Sequence, residues 1–226
     1  MGASELMIVM SRVRSSVLAV ALACGTLASS GAFAQEEPVS GDPERGATLA
    51  YTCLGCHGIP GYKNTYPAYH VPKLAGQHPE YLVTALQAYK SGERSHMTMH
   101  SQASSLSDQD MADIAAYFAN YGGQPVESGG EPKGGAPESA QLCVTCHGED
   151  GVGITPQYPT LAGQHADYLA RALQEYKRGG RKNPIMSGFA ATLTNEQIRE
   201  LAEYYSRQKP SLRTIEPPYK AVAAAR

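Results

Sequence analysis

The sequence predicts an all-α protein made of two tandem domains related by internal duplication. A repeated pentapeptide, a repeated cysteine–histidine unit and apolar positions at helical spacing, with no alternating strand pattern, carry that prediction. "LAGQH" stands at 74–78 and again at 161–165, an offset of 87 (161 − 74). At the same offset "YLVTALQAYKSGER" (81–94) falls on "YLARALQEYKRGGR" (168–181), and "SLSDQDMADIAAYF" (105–118) falls on "TLTNEQIRELAEYY" (192–205). "CLGCH" (53–57) and "CVTCH" (143–147) lie 90 apart (143 − 53), so the first copy holds three extra residues between His57 and its "LAGQH". The period is far longer than that of a solenoid repeat, so each copy reads as a domain.

Taken in order, residues 1–34 read as a secretory leader. Arg12 and Arg14 precede an apolar run from Val17 to Leu27, and "AFAQ" offers a cleavage site after Ala34. The run is shorter than the roughly 20 apolar residues a bilayer crossing takes. Export to the periplasm is the expectation. The remaining 192 residues (226 − 34) carry 17 Lys+Arg against 20 Asp+Glu, a balance that gives no general affinity for nucleic acid. The first domain is expected over 35–122. Asp42-Pro43 opens a helix, since proline in a first turn loses no needed donor. Tyr81, Leu82, Ala85, Leu86 and Tyr89 share one helical face, and Ile114, Tyr117, Phe118 and Tyr121 share another. Residues 123–136, rich in Gly and Pro, form a linker. The second domain, 137–209, repeats the faces as Tyr168, Leu169, Ala172, Leu173, Tyr176 and as Ile198, Leu201, Ala202, Tyr205. Ser107 and Thr194 stand at N-cap positions with Asp110 and Gln197 three residues on. The tail, 210–226, has no counterpart and is expected to be loosely ordered.

Removal of the leader takes Cys24 and leaves Cys53, Cys56, Cys143 and Cys146, all inside the repeated unit. An exported chain would ordinarily join cysteines in long-range disulfides; none is left over for that. Cys-x-x-Cys-His is the attachment signal of c-type haem. On a helical turn, cysteines at i and i+3 face one side and can add to the two vinyl groups of one porphyrin, while His at i+4 presents its imidazole to the iron. Two such units at equivalent points of a duplicated chain predict two covalent haem c groups. A structural zinc site would need a second close Cys pair in each copy, and a redox dithiol would need a βαβ setting; neither is present. A large flat apolar cofactor would also complete the small core that each copy can bury.

For the second axial ligand, the second copy offers Met186, in "NPIMSGF", read as an irregular Pro/Gly stretch, and His165, at the mouth of a helix. The 87-residue offset sets Met99 opposite Met186 and His78 opposite His165. Met97, His96 and His100 stand beside Met99, so the residues leave that ligand open between them.

With "CLGCHG", "CVTCHGEDG", "PKLAGQH", "PTLAGQH" and "IMSGFAATL" in place, the chain resembles the dihaem cytochromes c4, built from two class I cytochrome c domains, over about residues 41–209. The resemblance implies two cytochrome c-like domains, one haem on Cys53, Cys56 and His57 with Met99 as the second iron ligand, and another on Cys143, Cys146 and His147 with Met186. It implies that the carbonyls of Pro72 and Pro159 accept hydrogen bonds from the axial imidazoles. It also implies an electron carrier and not an enzyme, passing electrons from the quinol–cytochrome c reductase toward a terminal oxidase, with possible peripheral membrane association through those partners. The haem subunit of a periplasmic dehydrogenase, such as flavocytochrome c sulfide dehydrogenase, is the alternative. The chain departs from the family pattern after His57, where "IPGYKNTYP" replaces the acidic-glycine turn kept at Glu149-Asp150-Gly151, and before Cys143, where Gln141 stands in place of Tyr51. Finally, Lys177, Arg178, Arg181 and Lys182 form a basic cluster before Met186, read either as a solvated helix end suited to the helix dipole or as a surface that steers the second haem edge toward an acidic partner.

Overall fold

A computed structural model describes residues 40–120, 132–209 and 211–215. The leader (1–34), the linker as far as residue 131 and the tail from 216 lie outside the described residues. Nine α-helices are present among the described residues, with three isolated bridges and no strand. The first copy contains α1 (Pro43–Leu49), α2 (Tyr51–His57), α3 (Pro79–Ser91), α4 (Met97–Ser104) and α5 (Asp108–Asn120). The second contains α6 (Val144–His147), α7 (Ala166–Arg178), α8 (Pro184–Thr192) and α9 (Asn195–Arg207). Adding 87 to the bounds of α3 and α5 gives those of α7 and α9.

The helix ends follow from the sequence. Asp42 caps α1, its carboxylate accepting from the backbone N–H of Glu44 and Arg45. Ser107 and Asp110 exchange backbone and side-chain hydrogen bonds at the start of α5, and Thr194 and Gln197 form a full capping box on α9. Gly92 and Gly179 close α3 and α7 at φ 79° and 78°, a left-handed turn that suits residues without a Cβ. The predicted faces are the buried ones: Leu82, Ala85, Ile114 and Phe118 in the first copy, Leu169, Ile198, Leu201, Ala202 and Tyr205 in the second. Burying each large aliphatic side chain contributes about 1.5–3 kcal/mol.

The tail departs from expectation. Leu212 and Ile215 are buried, and Ile215 joins the core of the first copy with Leu54, Leu82 and Phe118. Arg213 exchanges both backbone hydrogen bonds with Ala75 (3.0 and 3.2 Å), while the Leu212 N–H donates to Ala162. Residues 211–215 therefore strap the second copy back onto the first. The absence of a repeat counterpart followed from there being one tail for two copies, and two apolar side chains with paired backbone suffice to order it.

The two copies dock about a local twofold relation, each using equivalent residues on the other. Arg94 and Arg181 form an antiparallel bridge flanked by Ser95 N–H to Gly180 O and Lys182 N–H to Glu93 O, both 2.8 Å. Gln77 bonds the backbone of Thr160 (Nε2 to O 3.0 Å, N–H to Oε1 2.9 Å), and its mate Gln164 bonds the backbone of Lys73 (3.0 and 3.0 Å).

Candidate haem sites

The helix α2 carries Cys53, Cys56 and His57 in its seven residues, so the two thiols and the imidazole leave one short helix together. In the second copy Cys143 is the N-cap of α6, which then runs through Cys146 to His147. All four thiols are free and partly exposed, as attachment requires. Burial pushes the thiols of Cys53 and Cys143 up.

Both histidines are buried and held by one ring nitrogen. His57 Nδ1 lies 2.8 Å from the Pro72 carbonyl, and His147 Nδ1 lies 2.9 Å from the Pro159 carbonyl. Because a carbonyl only accepts, each Nδ1 is the protonated nitrogen and each Nε2 is left as the lone-pair donor. Burial lowers the basicity of both rings, which keeps them in the neutral, ligating form. The prolines are those that the resemblance implies.

The methionines occupy matched positions on matched helices. Met99 is the third residue of α4, its N–H donating to the side chain of the N-cap His96 (3.2 Å); Met186 is the third residue of α8, its N–H donating to the N-cap Asn183 (2.9 Å). The stretch around Met186 is thus helical and not irregular as the sequence suggested. Pro184 sits in its first turn, where it costs no hydrogen bond, and Asn183 supplies the cap. Both methionines are partly buried. Met97, by contrast, is 88% exposed, His96 spends a nitrogen on its cap, and His100 Nδ1 bonds the Tyr89 carbonyl at 2.8 Å. The histidines of the bis-His alternative, His78 and His165, lie at the copy interface. His165 stacks on His70 across the copy interface (4.4 Å, 16°), and His78 Nε2 faces Thr160 Oγ1 at 3.5 Å.

The residues fit a haem in each copy. Two free thiols, a fixed imidazole and a thioether are the donor set for that group. Leu142, Ile154, Ile185 and Phe189, on the segments flanking Cys143 and Met186, are exposed apolar side chains, as they would be around a large apolar ligand. Tyr205 Oη is buried without a hydrogen-bond partner, on a side chain packed with Cys143 in one cluster. No group of three or more His, Cys, Asp or Glu among the described residues could hold a lone metal ion instead.

The basic cluster before Met186 is broken up by the fold. Arg181 is 4% exposed, bonded through Nε to Glu175 (2.7 Å), and lies over the rings of Tyr168 and Tyr176 at 5.4 and 5.7 Å. Lys177 Nζ donates to the Leu193 carbonyl. Lys177, Arg178 and Lys182 are exposed, so a four-residue steering surface does not exist. Arg181 was misread because its place at a helix end looked solvated, whereas the backbone bridge to Arg94 turns it inward. Several residues escaped the sequence reading: the caps His96 and Asn183, the Glu175–Arg181 pair, and the interface glutamines. The glutamines were visible as the fourth letter of both "LAGQH" copies.

Comparison with known proteins accords with this geometry. Residues 43–121 match the family model described as cytochrome c, and residues 130–204 match that of the cbb3-type cytochrome c oxidase subunit III. A cytochrome c4 of Pseudomonas aeruginosa is 38% identical over 183 residues, spanning 73% of this chain and 88% of that protein. A thiosulfate dehydrogenase electron acceptor of Stutzerimonas stutzeri is 31% identical over 172 residues, spanning 70% and 79%. The crystal structure of reduced recombinant cytochrome c4 from Pseudomonas stutzeri superposes with a TM-score of 0.58 at 34% identity, covering 75% of this chain and all of that one.

Proposed function

The chain belongs to the dihaem cytochrome c4 family, and we propose that it passes electrons through two haem sites in the periplasm. Two covalent haem c groups are its cofactors, and electron transfer is what such proteins do. When bound, each haem supplies a one-electron Fe(III)/Fe(II) couple. Cys53 and Cys56 would anchor the first haem, with His57 and Met99 holding its iron; Cys143 and Cys146 would anchor the second, with His147 and Met186. The observation that carries this assignment is the recurrence in both copies of the His–Pro carbonyl bond and of a capped helix with Met as its third residue. The prolines fix ring orientation and the caps fix the methionine helices, so little rearrangement accompanies a change in iron charge. With His and Met both holding the iron, no position would be left for a substrate, and the Met ligand would favour a high potential. Residues 1–34 direct export, with cleavage after Ala34, and 35–122 and 137–209 act as the two haem domains.

The reading of the wider chain is that electrons enter from the quinol–cytochrome c reductase and leave toward a terminal oxidase. A sulfur-oxidising dehydrogenase as donor is a second reading. It is favoured by the similarity to the thiosulfate dehydrogenase electron acceptor and by a thiosulfate dehydrogenase structure at TM-score 0.61 and 30% identity, of which this chain covers 40%. Stopped-flow reduction by each purified donor separates the two. For the sites, haem per chain is measured after export with maturation machinery present. Wild type should hold two, and the Cys53→Ala/Cys56→Ala variant one. Met99→Ala and Met186→Ala should each remove about half of the weak far-red band of Met-ligated ferric haem. Loss of that half in Met97→Ala, with Met99→Ala unchanged, would overturn the Met99 assignment.

A further inference from the structure

We propose that Gln77 and Gln164 are positioning residues that act across the interface, each setting how strongly the other copy's axial histidine is hydrogen-bonded. The inference rests on His57 and His147 being the iron ligands.

The peptide group between Pro72 and Lys73 has both ends occupied. Its carbonyl accepts from His57 Nδ1 at 2.8 Å, and its N–H donates to Gln164 Oε1 at 3.0 Å. The mate peptide between Pro159 and Thr160 is used in the same way. Its carbonyl accepts from His147 Nδ1 at 2.9 Å, and its N–H donates to Gln77 Oε1 at 2.9 Å. Each glutamine therefore bonds the peptide that holds the histidine of the opposite copy. The orientation of both amides is fixed, because each Nε2 donates to a backbone carbonyl, Thr160 or Lys73, at 3.0 Å. Gln77 and Gln164 are 5% and 4% exposed, so water does not compete for these bonds.

An amide whose N–H is engaged by a carbonyl oxygen is more polarised, and its own oxygen becomes a better acceptor. In a low-dielectric setting the strengthening is about 10–30% per bond. A stronger Nδ1–H···O bond makes the imidazole a more electron-rich ligand, which favours the oxidised iron. Gln164 thus lowers the potential of the first haem and Gln77 that of the second. Gln77 N–H donates to Leu74 O and Gln164 N–H to Leu161 O, both 3.1 Å, so each glutamine is anchored to the segment just after its own copy's proline.

The test uses dihaem protein with Gln164→Leu or Gln77→Leu, reading the two haem potentials and the His57 and His147 Nδ1 proton shifts by NMR in the reduced state. Gln164→Leu should move the His57 proton upfield and raise the reduced-to-oxidised ratio of the first haem roughly two- to fivefold at fixed ambient potential, leaving the second unmoved. Gln77→Leu should move the His147 proton and the second haem in the same directions and leave the first haem unmoved. General loosening of the interface would shift both haems together in either variant; that result, a shift confined to the mutated copy, or no shift would overturn the proposal. Should Gln164→Leu fail to fold, Gln164→Met removes the same acceptor with less change in side-chain shape. The His57 proton should again move upfield, and an unmoved proton would overturn the proposal. A wild-type haem content below two per chain would instead strike the ligand assignment beneath it.

Discussion

The two copies reach the same haem-attachment geometry from different starts. In the first, α1 lies against α5 with no room to spare: a Cβ on Gly41 would stand 2.2 Å from the Ala112 carbonyl, and one on Gly46 2.0 Å from that of Asp113. The buried Asp113 accepts from the Asp42 N–H, from Gln109 and from Arg45. In the second copy a three-residue turn, Glu138–Ala140, stands in for that helix among the described residues. The acid at the Asp113 position is Glu200, exposed and bonded to Ser139 Oγ at 2.7 Å. Yet Ala50 and Ala140, each three residues before the first cysteine, are both fully buried. What the motif requires is a small side chain under that turn; the helix ahead of it is a replaceable support.

Substitutions on the two supports should therefore differ in scale. Gly46→Val drives a side chain into backbone that cannot yield, and should destabilise the first copy by about 3 kcal/mol or more. Ile215→Ala empties a fully buried site where the tail enters that same core, with an expected loss of about 2–4 kcal/mol. Asp113→Asn keeps the shape but removes the charge that receives Arg45, costing about 1.5–3 kcal/mol. In the second copy, Ser139→Ala breaks the exposed bond to Glu200 and should cost about 0.5–1 kcal/mol. Denaturant or thermal unfolding of all four variants gives the ranking. A cost for Ser139→Ala equal to that of Asp113→Asn would abolish the contrast drawn between the supports.

The second contrast lies at the copy interface. Arg94 and Arg181 are both buried, each over two tyrosine rings, but only Arg181 has a carboxylate, because position 175 is Glu where position 88 is Ala. Such differences mark how far the sequence could be read. The duplication, every long helix, both caps at Ser107 and Thr194, and the grouping of Cys with His were legible because they depend on local spacing that occurs twice; Pro72 and Pro159 were implied by the family resemblance alone. The strap at Leu212–Ile215, the burial of Arg181 and the crossed glutamines were not, because each depends on which surface of one copy meets the other. Repetition within one chain conceals such contacts, since a residue facing its mate has the same surroundings in sequence as one facing water.

The smallest expected effect comes from the one-sided cluster beside the glutamines. His70 bonds Asp167 through its ring (2.8 Å) and its backbone N–H (3.2 Å), and stacks on His165. The position equivalent to His70 in the second copy is Gln157, so this cluster has no mate. Burial, with Lys73 and His70 adding to it and Asp167 opposing, lowers His165 to about 4 from its ordinary value of 6.5. Between those values the unfolded chain binds more protons than the folded one, so stability is full above about pH 6.5 and falls as pH drops toward about 4. Asp167 is itself held below its ordinary 3.8: burial pulls it up, and the bonds from His70 outweigh that. Its contribution is lost only under more acid conditions, outside the His165 window. Because His165 and the His70–Asp167 pair beside it are partly exposed, solvent screening keeps the His165 effect below about 1 kcal/mol. The thermal midpoint of wild type should decline from pH 6.5 to pH 4 more steeply than that of His165→Gln, and the curves should converge at the acid end. Parallel curves across that range would mean that the ring stack tolerates the proton, and that the interface is held by the twofold-related contacts alone.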